Sequence, residues 1–154
     1  MTTCNEIMTK DVVCCVPSTP VDMVARLMRV RDIGSVAIVE DLSTNKLVGL
    51  ITDRDIVLRI VAEGKNPKTL PVEDFMTRRL ITCEKDAGVD NALTLMEKHQ
   101  IRRLPIIDSS GRVTGIIATS DIVSRLRQSD KTTGLFQAIL RMRAPIRPQV
   151  AAPI

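Results

Sequence analysis

A chain of 154 residues is about one domain's worth, with enough Ile, Val, Leu and Met to bury a core. Phe75 and Phe136 are its only aromatic residues of the Phe, Trp and Tyr kind, so stacking platforms for single-stranded nucleic acid are excluded. The net charge of +4 is concentrated at the end, where Arg125, Arg127, Lys131, Arg141, Arg143 and Arg147 face Asp130 alone.

The opening "MTTCNEIMTKDVV" has no apolar stretch of the secretory-leader kind. No later run approaches the ~20 apolar residues of a membrane-spanning helix, so the expected location is cytoplasmic, with no membrane partner. Cys4, Cys14, Cys15 and Cys83 form no Cys-x-x-Cys pair, and the only histidine is His99. Zinc is therefore not expected. The thiols read as buried strand residues, with a disulfide or redox switch as the alternative. His99 reads as an exposed position near a helix end.

In chain order, "VVCCV" is short, apolar and β-branched and predicts a strand, on which Cys14 and Cys15 point to opposite faces. "STPVDMVARLMRVR" predicts a helix: Thr19 as N-cap, Pro20 at the first position and Asp22 at the third would form a capping box, with Val21, Val24, Ala25 and Met28 on one face. "SVAIVE" and "KLVGLI" predict strands joined by the polar turn "DLSTN". "DRDIVLRIVAEG" predicts a second helix, stopped by Gly64 and Pro67.

The chain then repeats itself. At an offset of 68, Met8-Thr9 falls on Met76-Thr77, Cys15 on Cys83, Leu27-Met28 on Leu95-Met96 and Ile33 on Ile101. Past the turn, which is two residues shorter in the second copy, the offset is 66. The second helix face is Val89, Ala92, Leu93 and Met96. Each copy reads β-α-β-β-α, and one copy buries too little alone, so two should pack together. The expected division is residues 4–66, 67–128 and a last segment 129–154. In that segment "TTGLFQAILRMR" places Leu135, Phe136, Ile139 and Leu140 on one side of a further helix, which would cover the module's own core or pack on a second subunit. "APIRPQVAAPI" reads as an extended basic tail, merely solvated or contacting nucleic acid or an acidic partner.

The motif "GLITDRDIV" at Gly49 recurs as "GIIATSDIV" at Gly115. One reading needs no ligand. Thr52 and Asp55 make a capping box, and Gly49 marks a close backbone approach inside a strand. In the second copy Ala118 replaces the threonine, so that box cannot form, yet Asp121 stays in register; Thr119 or Ser120 could cap instead. The other reading makes the helix start a ligand site. Its N–H groups suit a phosphate, the carboxylate a ribose diol, and Arg102 and Arg103 of "IRRLP" supply bidentate phosphate contacts. The first copy has neutral Gly34-Ser35 at that place, so two such sites would be unequal.

Taken together, "IMTKDVVCCVPSTPVDMVARLM", "DIGSVAIVED", "KLVGLITDRDIV" and their second-copy echoes resemble a pair of CBS domains, also called a Bateman module. The resemblance covers roughly residues 4–128 and extends to the short, stand-alone bacterial CBS-pair proteins, including the hypoxic-response type of mycobacteria. It implies an α/β (α+β) fold of two CBS units related by a pseudo-twofold axis, with clefts that bind AMP, ADP, ATP, NAD or S-adenosylmethionine, and a homodimer. It also implies roles. Asp55 and Asp121 would hold ribose, and Thr52, Thr119 and Ser120 ribose or phosphate. Arg102 and Arg103, with Ser35 at the matching place in the first copy, would border phosphate. The strands through Val13-Cys14 and Ile81-Thr82 would border the base. Ala118 and the neutral Gly34-Ser35 depart from the pattern.

The function so implied is regulatory. No nucleophile–base constellation, metal spacing or Walker-type loop is present, so no catalysis is expected. An adenosyl nucleotide would act as regulatory ligand, with no cofactor required, and the output would pass in trans to an unidentified protein target. The alternatives are a ligand-free interaction dimer, or nucleic-acid binding through the tail, the less favoured of the two.

Overall fold

The computed structural model describes residues 1–126. The segment with Leu135, Phe136, Ile139 and Leu140, and the basic tail, lie outside the described residues. After a short helix α1 (Cys4–Ile7), the first repeat forms β1 (Cys14–Cys15), α2 (Val21–Arg31), β2 (Ser35–Val39), β3 (Leu47–Thr52) and α3 (Asp53–Ile56). A π-helical turn (Val57–Val61) continues α3, with the Ala62 N–H donating to the Val57 carbonyl at 2.9 Å. A 3-10 turn (Val72–Asp74) leads into β4 (Cys83–Glu84), α4 (Val89–His99), β5 (Arg103–Ile107), β6 (Val113–Ala118) and α5 (Thr119–Leu126). The predicted β-α-β-β-α order is thus present twice.

Each copy folds into a three-stranded sheet, β1-β2-β3 and β4-β5-β6, parallel at the first pair and antiparallel at the second. The registers correspond. Ser35 pairs with Thr52 as Arg103 pairs with Ala118, and a bulge falls at Ile38/Val39 and again at Ile106/Ile107. β2 is buried along its whole length because it serves two interiors. Val36 and Ile38 face the core of their own unit, while Ala37 and Val39 meet Val113 of β6, with Cys14 and Leu47 alongside. The run "VAIV" that follows Ser35 is therefore continuously apolar rather than alternating.

The hairpin turns are tied by aspartates. The Asp41 carboxylate accepts hydrogen bonds from the Ser43 hydroxyl, from the Thr44 N–H (2.9 Å) and hydroxyl (2.9 Å), and from the Ser43 N–H (2.8 Å). The Ser43 hydroxyl contributes most to holding its pKa down at about 2. Asp108 does the same in the shorter second turn, its pKa lowered chiefly by the Arg112 N–H.

The helix α2 starts differently from the sequence expectation. Its N-cap is Pro20, and no side chain caps it, so the capping box of Thr19 and Asp22 does not form. The exposed amide donors are taken by the linker instead. Val21 N–H donates to Leu70 O at 2.9 Å, and Asp22 N–H to Pro67 O at 3.2 Å. α4 repeats the solution, its Val89 N–H donating to Thr2 O at 2.9 Å. A passing backbone carbonyl satisfies these donors as well as a side chain would.

Those carbonyls belong to an exchange between the two repeats. The first residues of the first repeat pack on the second: Cys4 and Met8 lie in the core formed by Leu93, Met96, Leu104, Ile106 and Ile117. The first residues of the second repeat pack on the first, where Val72, Phe75 and Met76 join Val24, Val36, Ile38 and Ile51. Backbone pairs seal both crossings. Thr9 and Ile116 exchange N–H···O bonds at 2.9 and 3.1 Å, as do Thr77 and Leu50 at 2.8 and 3.1 Å. The repeated glycines sit under these crossings. A Cβ on Gly49 would lie 2.3 Å from Met76 Sδ, and one on Gly115 would lie 2.3 Å from Met8 Sδ. The predicted close approach is a methionine from the other repeat.

All four cysteines are free. Cys15 enters the first core and Cys14 the seam between sheets, as the opposite faces of a strand require. Cys4 Sγ lies 4.0 Å from Cys83 Sγ, and burial, then the neighbouring Cys83, pushes its pKa up to about 12. His99 ends α4 and is exposed.

Candidate functional site

The ends of β3 and β6, at Thr52 and Ala118, line one cavity, and each strand runs straight into a helix. Where these helix starts meet the β4–β5 half of the second sheet they enclose a cavity of about 860 Å³, inside the ordinary range for small-molecule sites. Leu50, Leu80, Ile81, Ile101 and Pro105 form an apolar wall. Thr52, Asp55, Thr119 and Ser120 stand at the helix starts, and Arg54, Arg79, Arg102 and Arg103 supply positive charge.

Of the twelve residues singled out from the sequence, seven line this cavity: Thr52, Asp55, Arg102, Arg103, Thr119, Ser120 and Ile81. Five do not line it. Asp121 lies one residue beyond the lining residue Ser120. Val13 and Ser35 correspond by repeat register to Ile81 and Arg103, and so belong to the pseudo-symmetric side of the pair. Cys14 is committed to the seam between sheets, its thiol on Val12 O at 3.7 Å. Thr82 is half-buried beside the strand β4.

The capping box and the cavity coincide. Asp55 N–H donates to Thr52 Oγ1 at 3.2 Å, while Asp55 Oδ2 accepts from Thr52 N–H and from its hydroxyl, both at 2.9 Å. At the second copy the box is half present: Asp121 Oδ2 accepts from Ala118 N–H at 2.7 Å. An alanine removes the hydroxyl half and leaves the carboxylate half intact. The persistence of Asp121 therefore has a structural reason of its own.

Arg103 crosses to the first repeat. Its Nη1 lies 4.0 Å from Asp53 Oδ1, and a Cβ at Gly34 would come within 2.2 Å of its Nη2. The neutral Gly34-Ser35 is thus the counterpart of Arg102-Arg103: the small pair makes room for the large one. Arg54 and Arg79 were not singled out from the sequence. The signal for Arg79 lies in setting "MTRRL" beside "MTKDV", where it replaces Asp11. Among the described residues, no group of three or more His, Cys, Asp or Glu is placed to hold a metal ion, and no helix is long and apolar enough to cross a membrane.

A family model described as CBS domain matches residues 4–62 and again 72–128. An uncharacterized protein of Methanopyrus kandleri is 39% identical over 119 residues, which is 77% of this chain and 60% of that protein's length. Hypoxic response protein 1 of Mycobacterium tuberculosis is 35% identical over 126 residues, 82% of this chain and 86% of that one. Among solved structures, the CBS domain pair of protein MJ0100, in complex with 5′-methylthioadenosine and S-adenosyl-L-methionine, superposes with a TM-score of 0.74 at 32% identity, covering 85% of this chain and 99% of that one.

Proposed function

Because the chain belongs to the CBS-domain family, we propose that its inter-repeat cavity binds an adenosine-bearing ligand and that the protein is a regulatory module rather than a catalyst. The observation that carries this reading is the composition of one cavity: an apolar wall for a base, hydroxyls and a carboxylate at two helix starts for a ribose, and arginines for a phosphate. The MJ0100 pair, with its adenosyl ligands, supports it. A ligand held between the repeats favours one relative arrangement of them over others, and that shift is the signal passed to a partner.

Isothermal titration with AMP, ATP, NAD and S-adenosylmethionine tests the reading. At least one should bind at a ratio reflecting this cavity, and Arg102→Ala should weaken a phosphate-bearing ligand about tenfold or more, the worth of one charge-assisted hydrogen bond. Absence of binding by all four would refute it.

A second reading, self-association, has its own observation. Met23 and Val30 on α2 are 48% and 73% exposed, and Val57 and Val61 on the π turn are 54% and 66% exposed. The second repeat carries Asn91 and Lys98 at the places of Met23 and Val30. A homodimer would cover the apolar face of the first repeat. Sedimentation should then show a dimer that Val61→Glu converts to monomer; a wild-type monomer at high concentration sinks this reading.

A further inference from the structure

The exchange between repeats brings two thiols together. Cys4, on the crossing segment, and Cys83, on β4, are 79 residues apart in sequence, and their sulfurs lie 4.0 Å apart. Both are buried. Cys15 lies instead in the core of the first repeat, and Cys14 in the seam between sheets. These two point to opposite faces of β1 and cannot meet while the strand holds. Cys4 and Cys83 are thus the pair within reach, and joining them needs the sulfurs to approach by about 2 Å.

Backbone hydrogen bonds fix the place of that pair. Cys4 N–H donates to Ala87 O at 2.8 Å, Asn5 N–H to Lys85 O at 2.9 Å, and Val89 N–H to Thr2 O at 2.9 Å. The first repeat has the same frame: Val72 N–H donates to Thr19 O at 2.8 Å, Glu73 N–H to Pro17 O at 3.1 Å, and Val21 N–H to Leu70 O at 2.9 Å. In that frame Cys15 corresponds to Cys83, and Val72 to Cys4. One repeat has two thiols where the other has a thiol and a valine, which share the first core. Asn91 takes the place of Met23 and donates its side-chain amide to Cys83 Sγ at 3.9 Å. Asn91 is exposed, so this sulfur lies one side chain below the surface.

We propose that Cys4 and Cys83 form a reversible disulfide, made by a hydroperoxide and undone by a dithiol, that fastens the N-terminal crossing to the second repeat. This holds whatever the cavity binds. Cys83, with the Asn91 amide beside it, attacks as thiolate. An S–O bond forms, the O–O bond breaks, and the other peroxide oxygen leaves as alcohol with the Cys83 proton. Cys4 then attacks the oxidised sulfur. The S–S bond forms, the S–O bond breaks, and hydroxide leaves as water with the Cys4 proton. Two electrons pass from the thiols to the hydroperoxide. Burial, then Cys83, pushes the Cys4 pKa up to about 12, so the second step is slow while the segment is seated and proceeds as it loosens. Once made, the bond holds the segment whose Thr9 pairs with Ile116 on β6, the strand that ends at the cavity.

The experiment treats the reduced full-length protein with tert-butyl hydroperoxide, alkylates the remaining thiols in denaturant and maps the peptides by mass spectrometry. A Cys4–Cys83 bridge should appear, with Cys14 and Cys15 alkylated. The melting temperature should rise by about 4–16 °C, because the bridge closes a long loop in the unfolded chain. Dithiothreitol should reverse both changes. Val72→Cys supplies the thiol that the first repeat lacks and should add a second bridge, to Cys15. In the unsubstituted chain, Cys4 and Cys83 recovered unbridged, a bridge through Cys14 or Cys15, or a Cys4–Cys83 bridge that leaves the melting temperature unchanged overturns the proposal.

Discussion

Removing residues 1–9 is expected to destabilise the protein by about 3–6 kcal/mol, because Cys4 and Met8 are interior residues of the second repeat and each burial contributes about 1.5–3 kcal/mol. The deletion also takes away the Thr2 carbonyl that caps α4 and the backbone pair between Thr9 and Ile116. At about 2–4 °C per kcal/mol for a chain of this size, the melting temperature should fall by roughly 6–24 °C. The exposed cavity, lined by Leu93, Met96 and Ile106, should bind a hydrophobic dye. A truncated chain that melts with the full-length protein would show that the segment contributes nothing to the core. The size of the effect follows from the exchange: residues outside the second repeat in sequence are inside it in space.

Gly115→Ala should cost about 2–3 kcal/mol, near the upper end for overpacking, and more than Gly49→Ala. The added carbon at 115 would stand 2.6 Å from Met8 Cγ and 2.9 Å from Met8 Cβ. The latter is fixed to the backbone, and that backbone is pinned by the Thr9–Ile116 pair. At 49 the contacts are Met76 Sδ, Cγ and Cε, of which a change of rotamer can move all three. Urea unfolding midpoints of the two variants test the order. The double variant Gly115→Ala/Met8→Ala should be less destabilised than the sum of its parts, since Met8→Ala removes Sδ and Cγ, the two nearest clashing atoms, and leaves only Cβ. Additive effects would mean that the glycine serves some purpose other than admitting the methionine. Leu50, the neighbour of Gly49, lines the cavity, so the Met76 crossing also sets the position of one cavity wall.

Much was legible before any coordinates. The repeat registers, the β-α-β-β-α order and the helix faces Val21, Val24, Met28 and Val89, Ala92, Leu93, Met96 depend on local periodicity, and the folded chain keeps them. The glycines announced a close approach but not its partner, since Met8 and Met76 come from the opposite repeat. The start of α2 misled for the same reason. Thr19 and Asp22 have the spacing of a capping box, yet Pro67 and Leu70 reach the amides first. Where no distant carbonyl intervenes, as at Thr52 and Asp55, the box forms as read.

The candidate site divides along the same line. Residue types at the helix starts and before β5 were readable because each lies within one repeat: Thr52, Asp55, Arg102, Arg103, Thr119 and Ser120. Their assembly around one cavity, and the admission of Arg54 and Arg79 to it, were not, because that depends on how two sheets abut. The sequence by itself determined the duplicated unit, its elements and the unequal charge of its two copies, all of which arise from neighbours along the chain. Only the tertiary structure decided which repeat each crossing segment stabilises, that Arg103 lies over Gly34, and which arginines of the cavity stand outside an ion pair among the described residues. Those outcomes depend on contacts between residues tens of positions apart, where packing and Coulomb forces act through space and local pattern carries no record of them.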